Sequence, residues 1–179
     1  MPADIWSSIS NNQYEQDTGE SLFRRSLYTY WRRTIPPPTM MNFNAASREV
    51  CVVRTESTNT PLQALTLMNN VVFVEAAKKL AERVLLTANN YSPTLDSDVQ
   101  IDRCFQICLG RQPTSEELRQ LRSAYAAFIE NFKANSANAS KLLALGEAPV
   151  VGQLEPIQWA ALTMTASLIM NLDEAITKE

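Results

Sequence analysis

Apolar side chains recur every three or four residues over several stretches of the chain, and this spacing predicts helices. Phe23, Leu27, Tyr30 and Trp31 share one face of a helix over about 21–34, with Arg24, Arg25, Arg32 and Arg33 on the other side. Pro36-Pro37-Pro38 ends it, because prolines cannot continue a helix and each pushes the residue before it to extended geometry. Phe73, Ala77, Leu80 and Val84 form the inward stripe of a helix over about 71–88, with Lys78, Lys79, Glu82 and Arg83 solvating the outside. Ile101, Phe105, Cys108 and Leu109 do the same over about 98–109. Leu118, Leu121, Tyr125, Phe128 and Phe132 carry a long stripe to about residue 134. A last helix covers about 156–171, and its tail extends to near Thr177.

Start and stop residues sharpen these limits. Thr60 is an N-cap, Pro61 sits at the first helical position and Gln63 completes a capping box, so a helix begins at 61 and runs to Asn69-Asn70. Asp98 opens the 98–109 helix and Gly110 stops it. Thr114 and Glu117 make a second capping box, and Glu116 complements the helix dipole. Pro156 begins the last helix. Residues 89–97 read as a turn-rich linker and 135–140 as a flexible connector before a short helix near 140–145. Residues 36–59 have no helical period, and Val50, Val52 and Val53 suggest a short strand or hairpin near 49–54. A loop of that length is either functional or packed like an Ω-loop. The pattern predicts an all-α fold: an irregular bundle of about five to seven helices in a single domain over 1–179, with an irregular lead-in at 1–20 and a long extended loop at about 36–59.

Composition removes several chemistries. The chain has 179 residues, 45% of them hydrophobic, and is long enough to bury a core without disulfides or a metal. There is no histidine, which excludes His-assisted triads and histidine metal sites. The glycines, Gly19, Gly110, Gly146 and Gly152, are too scattered for a phosphate loop. Cys51, Cys104 and Cys108 have neither redox nor haem-attachment spacing, and Cys104 and Cys108 read as small apolar side chains on one helix face. The acidic run from Asp96 to Asp102 fails as a calcium loop, since Ile101 and Ile107 stand where glycine and a bidentate glutamate are needed. No metal and no cofactor are expected. A net charge of −3 gives no footprint for nucleic acid. The most apolar tract, Ile157–Leu172, is too short and too polar to span a membrane, and the start of the chain lacks a signal-peptide pattern.

Two clusters remain as candidate sites. The arginine face of the 21–34 helix, Arg24, Arg25, Arg32 and Arg33 with Tyr28 nearby and Trp31 flanking, suits a carboxylate, sulfate or phosphate and stacking on a sugar. Its bland alternative is a solvated face pairing with Glu20, Glu49 or Glu56. In the long loop, Arg48, Glu49, Arg54 and Asn59 either converge beside the helix start at Pro61, where free N–H groups favour an anion, or simply hold the loop through ion pairs and caps.

Three blocks carry a family resemblance: Arg24 to Thr34 running into the three prolines, Arg48-Glu49-Val50-Cys51 with Arg54, and Thr58 to Leu65. They resemble the C-terminal planctomycete-specific domain of unknown function, and Leu109 to Thr114 and Asn171 to Glu174 are similar to it as well. The resemblance runs from about residue 4 to the end. It implies a C-terminal piece of a large exported protein, extracytoplasmic, whose relatives often carry a cytochrome-c-like module. It supplies no catalytic residue. Where the family pattern has Asp within Phe43 to Arg48, this chain has Asn44. Two functions are therefore expected: a helical module packing against upstream domains of the same parent protein, or an accessory part of an enzyme acting on an acidic extracellular glycan or its sulfated esters.

Overall fold

The computed structural model describes residues 26–31, 36–53, 58–91, 96–150, 152 and 154–177, together with Asp17, Gly19, Ser21 and Arg24, with backbone only at 88–91. Among these residues all regular structure is helical. Eight α-helices follow one another: α1 (Pro38–Asn42), α2 (Pro61–Asn69), α3 (Val71–Tyr91), α4 (Ser97–Leu109), α5 (Ser115–Ala134), α6 (Ser136–Leu143), α7 (Pro156–Met170) and α8 (Asp173–Ile176). The all-α expectation holds. The chain divides into two compact units, Met1–Gln63 and Ala64–Glu179.

The second unit is organised around α7. Trp159, Ala160, Ala161, Leu162, Thr163, Thr165, Ala166 and Ile169 are all buried, on every side of the helix. A helix apolar all round has no solvent face and must be enclosed. It packs against α3, α4, α5 and α6, and also touches α8. Its alanines leave room for close neighbours. Thr163 and Thr165 turn their hydroxyls back onto the carbonyls of Trp159 and Ala161, at 2.8 and 3.0 Å, so no buried polar atom there is wasted. The start is closed by Glu155, whose carboxylate accepts from the Ile157 and Gln158 amides at 3.1 and 2.6 Å. Around α7 the core is filled by Ala81, Val84 and Leu85 of α3, Ile101, Cys104 and Phe105 of α4, Leu121 and Tyr125 of α5, and Ala139 and Leu143 of α6. Burial pushes the Cys104 thiol up to about 12, with Cys108 adding to the effect, so Cys104 behaves as a small apolar side chain.

Lys78 departs from expectation. The wheel puts it outside with Lys79, Glu82 and Arg83, yet only 1% of it is exposed. It lies between Ala77 and Ala81 on the buried stripe, and its stem is long enough to cross to another element. Its ammonium donates to the carbonyls of Leu143, Leu145 and Ala148 at 3.1, 2.7 and 3.2 Å. These are the last carbonyl of α6 and two beyond it, groups that a helix end leaves without partners, and a cation there also suits the dipole. Glu75, one turn earlier and also buried, accepts from the Ala148 amide at 2.5 Å. The Trp159 indole donates to the Lys78 carbonyl at 3.1 Å. Burial holds the Lys78 pKa below its usual value, with Glu75 opposing that shift. Gly146 has φ of +84°, and a Cβ there would collide with the Glu75 carboxylate.

Several boundaries move. Where a helix is expected over 21–34, the described residues form bends, a 3₁₀ turn at Ser26–Tyr28 and irregular chain. Leu27 and Tyr30, half of its expected inward face, are exposed, so burial does not support the periodicity at those two positions. Pro38, expected only as a stop, is the first residue of α1, because its fixed φ also suits a helix start. The valines at 50–53 form no strand. Residues 135–140 are not a flexible connector: Ser136 begins α6 and Ala139 is fully buried. Small polar residues look like a linker, but one buried alanine face suffices to dock a short helix. The cap of α4 is Asp96, which accepts from the Asp98 amide at 3.4 Å, and Asp98 instead pairs with Arg122. The α2–α3 break falls at Asn70, whose side chain accepts from the Val72 amide at 3.0 Å.

Lys78→Met should lower the unfolding free energy by about 3 kcal/mol or more, because three carbonyls and the Glu75 carboxylate lose their buried cation. Gly146→Ala should cost about 1–3 kcal/mol through backbone strain alone, with the collision adding to it. Urea unfolding of each variant checks both; a midpoint equal to the parent's would show that the α6 end is held by something else.

Candidate functional site

The residues that carry the family resemblance fold onto one another in the first unit. Thr60 and Gln63 form the expected capping box: the Gln63 amide donates to Thr60 Oγ1 at 3.3 Å and the Thr60 amide donates to Gln63 Oε1 at 2.7 Å. Gln63 is 1% exposed, and its Nε2 donates to the carbonyl of Asn42 at 2.8 Å. One side chain thus caps α2 and ties down the end of α1. Asn44 has φ of +58°, a conformation that asparagine tolerates better than most residues, and its amide donates to Thr58 Oγ1 at 2.6 Å. The chain leaves at Asn44 and returns at Thr58, so these two bonds close the loop at its base. A loop tie of this kind needs no charge. With Asp at 44, the Thr58 hydroxyl would donate to the carboxylate instead.

Arg48 also has a positive φ, +63°, and its guanidinium lies over the Trp31 ring at 4.5 Å from the centroid. This joins the first family block to the second. Arg48 and Glu49 are both exposed, and neither forms an ion pair with a described residue. Asn59 is exposed beside the cap. Of the arginine face, Arg24 and Tyr28 are exposed and do not share a helix, while Arg25, Arg32, Arg33 and Arg54 lie outside the described residues. The indole nitrogen of Trp31 is buried without a hydrogen-bond partner among the described residues.

A second cluster, in the other unit, joins the two remaining family blocks. Arg111 follows Gly110, whose φ of +76° ends α4. Its guanidinium stacks on Phe105 at 4.8 Å and forks between Glu117 and Glu174, with bonds of 2.7 to 3.1 Å. Glu117 is also the capping-box residue of α5 and accepts from the Thr114 amide at 2.7 Å. The arginine and that amide hold the Glu117 carboxyl down to about 2, and Arg111 holds Glu174 below the usual range. Pairing with the two carboxylates pushes Arg111 further up. Sequence spacing gives no hint of a bond between positions 111 and 174. Beside this cluster is an open depression of about 420 Å³ lined by Arg103, Gln106, Ile107, Gly110, Arg111 and Gln112. Its arginine at 111 is saturated by carboxylates. Among the described residues neither cluster sets a nucleophile beside a base.

Gln63→Glu keeps the cap acceptor but loses the amide donor to Asn42, so it isolates loop closure from capping. The variant should be cut by protease between 44 and 58 several-fold faster than the parent, while Asn44→Asp should not; equal cleavage of all three would show that the loop is held elsewhere. Acid should act through the Arg111 clamp. A carboxyl whose folded pKa is depressed contributes stability above its ordinary value of 4.5 and loses it as pH falls through about 2. The melting temperature should therefore fall between pH 4.5 and 2, and Arg111→Ala should flatten that fall; a fall of the same size in the variant would assign it to other carboxylates.

No curated protein and no solved structure matches the chain. The family model described as PSD1, a protein of unknown function (DUF1553), matches residues 3–125, a span that includes the blocks at 24–38, 48–54, 58–65 and 109–114 but not 171–174. The chain belongs to this family of proteins of unknown function.

Proposed function

We propose that the chain is a non-catalytic helical module that packs through α2 against an apolar surface of a neighbouring domain. The observation that carries this is the outer side of α2. Gln63 and Leu67 are buried, while Leu62, Leu65 and Met68 are exposed at 58, 58 and 43%. Val71 and Val72, directly after the Asn70 break, are exposed too. Single exposed leucines are ordinary on protein surfaces, but a run of five large apolar side chains on consecutive turns is what contact surfaces look like. Leu62 and Leu65 also belong to the block that carries the family resemblance, where a solvated helix would have polar residues. The partner that fits best is an upstream domain of a larger, exported parent protein, as the family resemblance implies. The glycan reading keeps the exposed Arg24 and Tyr28 as support, without a helix to align them.

A photo-crosslinking residue at Met68, introduced into the protein in its own cells, should link to one defined segment of another domain. The same residue at Gln120, exposed on α5, should not. Equal or absent crosslinking at the two positions would remove the packing reading. In parallel, a sulfated or carboxylated polysaccharide at 100 times its dissociation constant would stabilise the fold by about 2.7 kcal/mol if it bound. No shift in melting temperature is expected; a shift abolished by Arg24→Ala would put the glycan reading first.

A further inference from the structure

The loop closed by Asn44 and Thr58 presents a second surface, different in kind from the α2 stripe. Val50, Cys51, Val52 and Val53 are all exposed, and Val53 is as open as in an extended peptide, at 105%. Three of the four are β-branched valines, which favour a pleated strand, yet no strand forms. Their backbone N–H and C=O groups have no hydrogen-bond partner among the described residues. The segment thus has a strand's side chains, a strand's free backbone and no sheet to join. Its base is fixed by the bond between Asn44 and Thr58, and Arg48 is held against Trp31, so the valines are offered from an anchored support.

We propose that Val50–Val53 is a donated strand that adds to the exposed edge of a partner's β-sheet. The partner's chemistry follows from the side chains. In a strand Val50 and Val52 point to one face and Cys51 and Val53 to the other. Both faces are apolar, the pattern of strands in sheets covered on both sides, so the recipient is the edge of a sheet with apolar cover above and below. Arg48 and Glu49 mark where the apolar run ends, and a strand of this length is within the usual range. Lipid is the weaker occupant. A bilayer would take the valine side chains but leave the free backbone groups without partners, whereas a sheet edge supplies both.

Residue-resolved hydrogen exchange tests this, run on the purified chain and on the native protein isolated from its own cells. In the chain alone all four amides should exchange at rates near those of an unfolded peptide. In the native protein two alternate amides, either Val50 and Val52 or Cys51 and Val53, should slow by roughly tenfold or more while the other two stay fast, because an added edge strand bonds on one side only. Proline at one of the slowed positions should release that protection, and Val52→Ile, which keeps the β-branch and the N–H, should retain it. Four fast amides in the native protein would overturn the proposal. So would four slow ones, which signify lipid or side-chain burial, or protection that grows with concentration in the chain alone, which signifies a second copy. The crosslink at Met68 reads α2 only, so either surface can fail without the other.

Discussion

A helix with no polar face constrains everything packed around it. Because α7 is buried on all sides, each neighbour must present a smooth apolar surface and must bring its own polar ends under control before the helices close. The short α6 is where this is hardest. The continuing chain meets two of its last carbonyls, since the Ala144 and Leu145 amides donate to Ser140 and Leu142, but the Leu143 carbonyl needs another donor. Lys78 resolves the conflict from α3 by carrying a cation to three carbonyls, and Glu75 takes the Ala148 amide from the same direction. Removing a lysine and a glutamate from water is costly in itself. That cost is offset because the two charges attract each other and Lys78 and Glu75 both bond backbone groups at the α6 end. Gly146 completes the device by being the one residue that leaves space for the Glu75 carboxylate.

The first unit depends on a smaller economy of groups. Gln63 uses its oxygen for the cap and its amide for Asn42, so one side chain settles both the start of α2 and the return of the loop. Asparagine at 44 accepts a left-handed backbone and donates to Thr58. Together these explain why a long loop holds a defined base.

Helix type and caps were legible from local chemistry alone. The boxes Thr60–Gln63 and Thr114–Glu117, the Gly110 stop and the Pro156 start all depend on residues within one turn of each other. What sequence could not give depended on distant partners. Lys78 reads as solvent-facing unless the end of α6 is known to lie opposite it. Residues 135–140 read as a linker because small polar side chains hide a buried Ala139. The 21–34 periodicity misled for the converse reason: a regular stripe does not make a helix unless its face is buried, and Leu27 and Tyr30 are exposed. Of the arginine face only Arg24 is among the described residues, and Arg48 lies over the Trp31 ring, a contact between positions too far apart for spacing to suggest.

Buried and exposed apolar residues divide the chain between stability and function. In the second unit the core around α7 is closed, and Lys78, Thr163, Thr165 and Glu155 pair most of its polar atoms, while Asn171 Oδ1 is buried without a partner among the described residues. The surplus lies in two unlike places. On α2 it is side-chain surface without backbone need, which a partner's apolar surface satisfies. At Val50–Val53 it is side-chain surface together with backbone groups open to solvent, a combination that the proposed added strand would cover. With no histidine in the chain and no nucleophile set beside a base in either described cluster, these two kinds of incompleteness are the strongest functional statements that the molecule makes. Both are the surfaces on which the proposed contacts rest.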